Sequence, residues 1–136
     1  MGKTEGEGNA IFLADEPKVI RKKVMRAVTD AGPTEHNSTK PEPIQNLFKL
    51  MAAVSSPDTV SYFNEKYNTC EIRYGDMKKQ LAEDIIVFTE PIREKIKELS
   101  ADENYIQKVM KVGKEKAQAS GGKTVSEVRQ IIGFRP

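Results

Sequence analysis

A single cysteine, Cys70, and a single histidine, His36, serve the whole 136-residue chain. One cysteine excludes an intrachain disulfide. One of each excludes a His/Cys metal site and leaves a Cys–His nucleophilic pair only to a chance encounter, so no metal ligand is expected and zinc and hydrolytic chemistry fall away. Long hydrophobic runs are also missing, at the N-terminus and elsewhere. That argues against a signal peptide, a membrane span and a membrane partner, and the expected location is a reducing cytoplasm. There is no repeat and no low-complexity tract. Nor is there a dominant charge, since 22 Lys and Arg stand against 20 Asp and Glu for a net charge of +2. The balance is uneven along the chain: residues 105–136 hold seven basic and only two acidic side chains. With 38% hydrophobic residues, the chain can build one domain's core if its apolar residues share one side of each element.

Their spacing is helical. Residues 1–10, rich in glycine and glutamate, form a mobile loop, after which Asp15 offers an N-cap and Pro17 a first turn for a helix over about 16–28. Thr34 to Pro43 reads as an extended, mobile connection. Ile44, Leu47, Phe48, Met51 and Val54 make a core-facing stripe, and Ser55-Ser56-Pro57-Asp58 ends that helix and caps another over about 57–67. Met77, Leu81, Ile85, Phe88, Ile92, Ile96 and Leu99 predict a sustained seam on a helix over about 75–99 that continues through Pro91. Ser100-x-x-Glu103 predicts a capping box for a last helix over about 101–132. In it, Gly113, Ala117, Gly121 and Val125 keep a four-residue phase across the Gly121-Gly122 pair, as a seam closely approached by a neighbouring helix would. Only Cys70-Glu71-Ile72 resembles a strand. The predicted fold is all-α, a bundle of four to five helices preceded by a flexible loop.

Few residues carry chemistry. Gly2-Lys3-Thr4 matches the end of a phosphate loop, but the first glycine, the preceding strand and the apolar helix are absent, and Glu5 and Glu7 repel phosphate. A lysine on a glycine-rich loop remains a mobile point charge for phosphate; a frayed terminus is the plain alternative. Arg21, Lys22, Lys23 and Arg26 read as the wet side of the first helix. Lys108, Lys111, Lys114 and Lys116, with only Glu115 opposing them, suit a polyanion better, the alternative being a solvated face. Carboxylate pairs such as Glu83-Asp84 have no histidine or metal cluster beside them and read as surface charge.

Met1-Gly2-Lys3-Thr4, then Asn9 and an apolar triplet, then Asp15-Glu16-Pro17-Lys18-Val19-Ile20-Arg21-Lys22-Lys23 and Arg26-Ala27-Val28-Thr29-Asp30, resemble bacterial tryptophan–tRNA ligases in order and spacing. In that family a KMSKS signature loop leads into a helix ending in a Thr-Asp pair. Asn46-Leu47, Tyr74-Gly75 with Lys78 and Lys79, and Gly113-x-x-Lys116-Ala117 are also similar to the family's C-terminal helical region. The resemblance implies the C-terminal part of a class I aminoacyl-tRNA synthetase, with residues 1–14 a remnant of the catalytic domain's signature loop and 15–136 an α-helical anticodon-binding domain. On this mapping Met1, Gly2, Lys3 and Thr4 belong to the ATP-binding loop. Lys3 matches the lysine that neutralises the ATP triphosphate as pyrophosphate leaves, while Gly2 and Thr4 stand where the family usually has serines.

The full-length enzyme implied uses ATP with magnesium to attach tryptophan to tRNA(Trp), and is a homodimer mainly through its nucleotide-binding domain. The chain alone lacks that domain, its HIGH signature and the tryptophan pocket. It is therefore expected to be a monomer that binds no cofactor and is catalytically inactive. Anticodon bases are read by stacking on aromatic or guanidinium groups, which makes Arg73, Tyr74, Tyr105, Lys108, Lys111 and Lys114 the tRNA-binding candidates. Two other readings stand beside this one: the same region of another class I synthetase such as the tyrosine enzyme, and a helical protein-interaction module without nucleic acid.

Overall fold

The structure, a computed structural model, describes Gly8 and residues 10–134. Among these residues there are five helices and no strand: α1 (Pro17–Met25), α2 (Glu42–Val54), α3 (Pro57–Asn68), α4 (Tyr74–Ala101) and α5 (Glu103–Ile131). The chain divides into two compact units, Met1–Glu94 and Lys95–Pro136, with α4 passing from one into the other.

The first unit is built on apolar stripes from four helices. Ile20 and Val24 of α1, Leu47 and Met51 of α2, Phe63 of α3, and Met77, Leu81, Ala82 and Ile85 of α4 form one buried cluster, and the i, i+4 spacing within each helix explains why each presents a single face. Ser56 caps α3, its hydroxyl accepting the Thr59 N–H at 3.2 Å, and Pro57 occupies the first turn where no N–H is needed. At the other end of α3, Cys70 takes φ 58°. Its N–H donates to the Tyr67 carbonyl at 3.1 Å and the Glu71 N–H to the Lys66 carbonyl at 2.8 Å, the paired bonds of a Schellman stop with cysteine in the position glycine favours. The strand-like Cys70-Glu71-Ile72 segment is the exit from that stop.

The connection between α1 and α2 is anchored where the sequence suggests a mobile segment. The Asn37 N–H donates to the Asn68 carbonyl at 3.1 Å, and the Lys40 ammonium donates to Asn64 Oδ1 at 2.7 Å. Lys40 also lies 4.9 Å above the Phe48 ring and 4.5 Å above the Tyr67 ring, and partial burial lowers its pKa from the ordinary lysine range. Two prolines and a run of polar residues hid these contacts, because each of them is tertiary.

Four further expectations are corrected. Asp15 does not cap α1: Glu16 holds that position, and Asp15 instead accepts the Phe12 N–H at 2.9 Å and the Lys23 ammonium at 2.7 Å. Helix α1 stops at Met25, three residues early, because Asp30 accepts the Gly32 N–H in an Asx turn at 3.0 Å, Gly32 takes φ 104°, and Lys78 claims the Ala27 carbonyl. The cap of α5 is Asp102, whose Oδ1 accepts the Tyr105 N–H at 2.9 Å, whereas Ser100 belongs to the last turn of α4. On α4 the apolar seam holds only as far as Ile85. Beyond it Phe88 is 53% exposed and Ile92 38%, while Thr89 and Arg93 are buried at 3% and 4%. The buried face continues in steps of four through polar residues that a hydrophobic pattern passes over.

As expected, α4 runs through Pro91 and α5 runs unbroken through Gly121-Gly122. Among the described residues no side chain of α5 is buried, and a Cβ on Gly113 or Gly121 would meet nothing within 4 Å. None of the helices, among the described residues, is long and apolar enough to cross a membrane.

Candidate nucleic-acid interface

The proposed ATP-loop residues Met1, Gly2, Lys3 and Thr4 lie outside the described residues. The segment from Phe12 to the end of α1 is firmly built. The Lys23–Asp15 ion pair is half-buried, with Lys23 4.8 Å above the Phe12 ring, and Arg21 binds Glu83 of α4 bidentately at 2.6 and 2.9 Å. Two of the four basic residues that the sequence places along this helix are thus committed to structure.

Arg73 and Tyr74 sit where α4 begins, and the structure gives them different surroundings. The Tyr74 ring packs against the core of the first unit and its hydroxyl is enclosed, with the Asp30 carboxylate nearby. Burial raises its pKa well above the ordinary phenol range, and the nearby Asp30 carboxylate adds to the effect. Arg73 is exposed, and its guanidinium makes no ion pair with any described residue.

Arg73 lines a cleft of about 660 Å³ between the end of α3 and the first turn of α4, together with Tyr62, Lys66, Glu71 and Asp76. The Schellman stop at Cys70 connects the two helices, and Cys70 is one of the residues that line the cleft. Inside it, Lys66 and Glu71 pair at 2.6 Å; this hydrogen bond raises the lysine's pKa and lowers the carboxylate's. Tyr62 is 54% exposed, its ring 5.1 Å from Phe63 in an edge contact, with the Lys66 ammonium 6.0 Å above it. Sequence reasoning missed Tyr62, Lys66, Glu71 and Asp76. Tyr62 carried a usable signal, since it falls off the Val60-Phe63-Tyr67 stripe that the helix buries.

The remaining candidates lie on α5. Tyr105 is exposed, and Lys108, Lys111 and Lys114 follow it at three-residue intervals, so the three lysines spread over roughly 120° of the helix surface. Neither they nor Lys116 form an ion pair with any described residue. Tyr105 and these lysines belong to the second unit, Arg73 and Tyr74 to the first. Among the described residues no group of three His, Cys, Asp or Glu side chains converges as metal ligands would.

Comparison with known proteins shows the family. The family model of tRNA synthetases class I (W and Y) matches residues 1–90. The chain is 57% identical over 135 residues to the tryptophan–tRNA ligase of Porphyromonas gingivalis, covering 99% of this chain and 41% of that protein. It is 38% identical over 138 residues to tryptophan–tRNA ligase 1 of Streptomyces coelicolor, covering 100% and 40%, and 35% identical over 132 residues to the ligase of Helicobacter pylori, covering 96% and 38%. The chain therefore spans about two fifths of the length of the curated relatives it matches. With the matched segment taking in α1, α2, α3 and more than half of α4, the chain belongs to the class I tRNA synthetases (W and Y).

Proposed function

We propose that this chain is the C-terminal region of a tryptophan–tRNA ligase and that it contacts the anticodon end of tRNA(Trp). Tryptophan is favoured over tyrosine because relatives that match along nearly the whole chain, those of P. gingivalis, S. coelicolor and H. pylori among them, are named as tryptophan ligases. The full-length enzyme joins tryptophan to its tRNA at the expense of ATP, acts as a homodimer and works in the cytoplasm. Residues 1–14 belong to its catalytic domain, where Lys3 places a positive charge beside the triphosphate, and residues 15–136 form the helical anticodon-binding part.

The observation that carries the RNA reading is the set of lysines on α5. Lys108, Lys111, Lys114 and Lys116 are exposed, and no described carboxylate pairs with them, whereas Arg21, Lys23 and Lys66 in the first unit are all paired. Unpaired lysines release counterions when they meet phosphate, which is the main source of affinity for a polyanion. Tyr105 offers an aromatic ring for stacking on unpaired bases.

A titration of the chain with the anticodon stem-loop of tRNA(Trp), and with the same stem carrying a scrambled loop, tests this. The expected result is a preference for the matched loop above a salt-sensitive background of about 10⁻⁴–10⁻⁶ M. Equal binding of both loops rules out anticodon reading, and binding of neither favours a protein-interaction module.

A further inference from the structure

The cleft between α3 and α4 combines three features that a phosphate site does not need together: an exposed aromatic face, a guanidinium with no carboxylate partner, and two carboxylates. Tyr62 supplies the face, Arg73 the free cation, and Glu71 and Asp76 the acceptors. Glu71 is held by Lys66 at 2.6 Å, while among the described residues Asp76 pairs with Lys79 at the longer distance of 3.7 Å, so Asp76 keeps its accepting capacity. A volume of about 660 Å³ is ample for one heterocyclic ring.

We infer that this cleft receives one unstacked base of the RNA loop, a base bearing an exocyclic amino group, with its ring against Tyr62, its amino group donating to Asp76 and Arg73 on the flanking phosphate. The inference rests on the anticodon reading above and specifies where one base goes. An ionised carboxylate only accepts, so it pairs with the amino group of cytosine or adenine and meets uracil's O4 with repulsion. Every base of CCA, the anticodon complementary to the tryptophan codon, carries such an amino group. Lys66 engages Glu71, which leaves Asp76 as the acceptor for the base edge. Stacking on Tyr62 holds any base, and the carboxylate discriminates among them.

The test uses the full 136-residue chain and stem-loops with a CCA anticodon, with each cytosine in turn changed to uracil, and with a scrambled loop. Wild type should bind the CCA loop about tenfold tighter than one of the uracil loops. Asp76→Asn, whose amide donates as well as accepts, should abolish that difference, Tyr62→Ala should weaken every loop, and Arg73→Ala should weaken every loop while lowering the salt slope. Both Tyr62 and Asp76 are exposed, so circular dichroism melts of the variants should superimpose on wild type. If wild type prefers the CCA loop over the scrambled one and Asp76→Asn and Tyr62→Ala preserve every preference and affinity, the cleft is not the base site, although anticodon reading stands. If wild type does not distinguish CCA from scrambled loops, the anticodon reading fails and this assignment fails with it.

Discussion

The ammonium of Lys78, 8% exposed in the first turns of α4, donates to the carbonyl oxygen of Ala27 at 2.7 Å. It also donates to Thr29 Oγ1 at 3.2 Å. A positive charge at the carbonyl end of α1 is favoured by the helix dipole, and it satisfies a carbonyl that the early end of α1 leaves without a helical partner. Lys78→Met keeps most of the side-chain volume and removes the donor. It should cost about 1.5–3 kcal/mol, the range for hydrogen bonds from charged groups, measured by urea unfolding. A loss below about 0.5 kcal/mol would show that water replaces the ammonium without penalty.

Cys70 occupies left-handed backbone, a conformation that costs a residue with a Cβ roughly 1–2 kcal/mol. Cys70→Gly is expected to stabilise the first unit by about 1 kcal/mol or less, the gain being reduced by glycine's freedom in the unfolded chain, and Cys70→Val to destabilise it. Thermal melts of the two variants should move in opposite directions from wild type. Because glycine keeps the left-handed turn of the Schellman stop, Cys70→Gly should leave RNA binding unchanged.

Gly121 lies in the interior of an exposed helix with open space around it. Gly121→Ala should therefore raise the stability of α5 by about 1 kcal/mol, read as increased helicity by circular dichroism. A decrease would mean that something covers that face in solution.

Two ion-paired carboxylates are expected to make the fold's stability depend on pH in the acid range. The hydrogen bonds from Arg21 and Lys66 hold Glu83 and Glu71 below the ordinary carboxylate range. A carboxylate depressed in the folded state contributes stability that is fully present above its unfolded value of about 4.3 and is lost as pH falls through the folded value. Melting temperature should decline below about pH 4, and Glu83→Gln combined with Glu71→Gln should flatten that decline. An unchanged pH profile in the double variant would assign the acid sensitivity to other groups.

Helix positions were readable because each helix of the first unit presents one apolar stripe, as Ile44, Leu47 and Met51 do, and because the prolines at 17, 43 and 57 mark first turns. What the sequence hid is tertiary or polar. Lys78 and Arg93 count as surface residues by type, yet both are buried, Lys78 by its bonds to Ala27 and Thr29 and Arg93 beside Thr89. The small-residue phase of α5 is real as a pattern, but spacing alone does not say whether another helix fills it. In the candidate interface, Arg73 was readable as a cation next to a helix start. Its cleft was not, because Tyr62 and Asp76 come together only through the reversal at Cys70.

Catalysis by the isolated chain should be absent. Lys3 is a single charge, and the chain matches only about two fifths of the ligases it resembles. Tryptophan-dependent pyrophosphate exchange is expected at background level, and exchange above background would overturn the expectation that this chain alone is inactive.

Contact between the lysines of α5 and RNA phosphates is read from the way binding of the tRNA(Trp) anticodon stem-loop depends on salt. Wild type and the Lys108→Ala, Lys111→Ala double variant are titrated at two salt concentrations. The double variant should bind more weakly at low salt, with a salt slope reduced by about one unit for each phosphate that the missing lysines no longer neutralise. Equal affinity and equal slope for the two proteins would contradict that contact and show that this face of α5 carries only solvent.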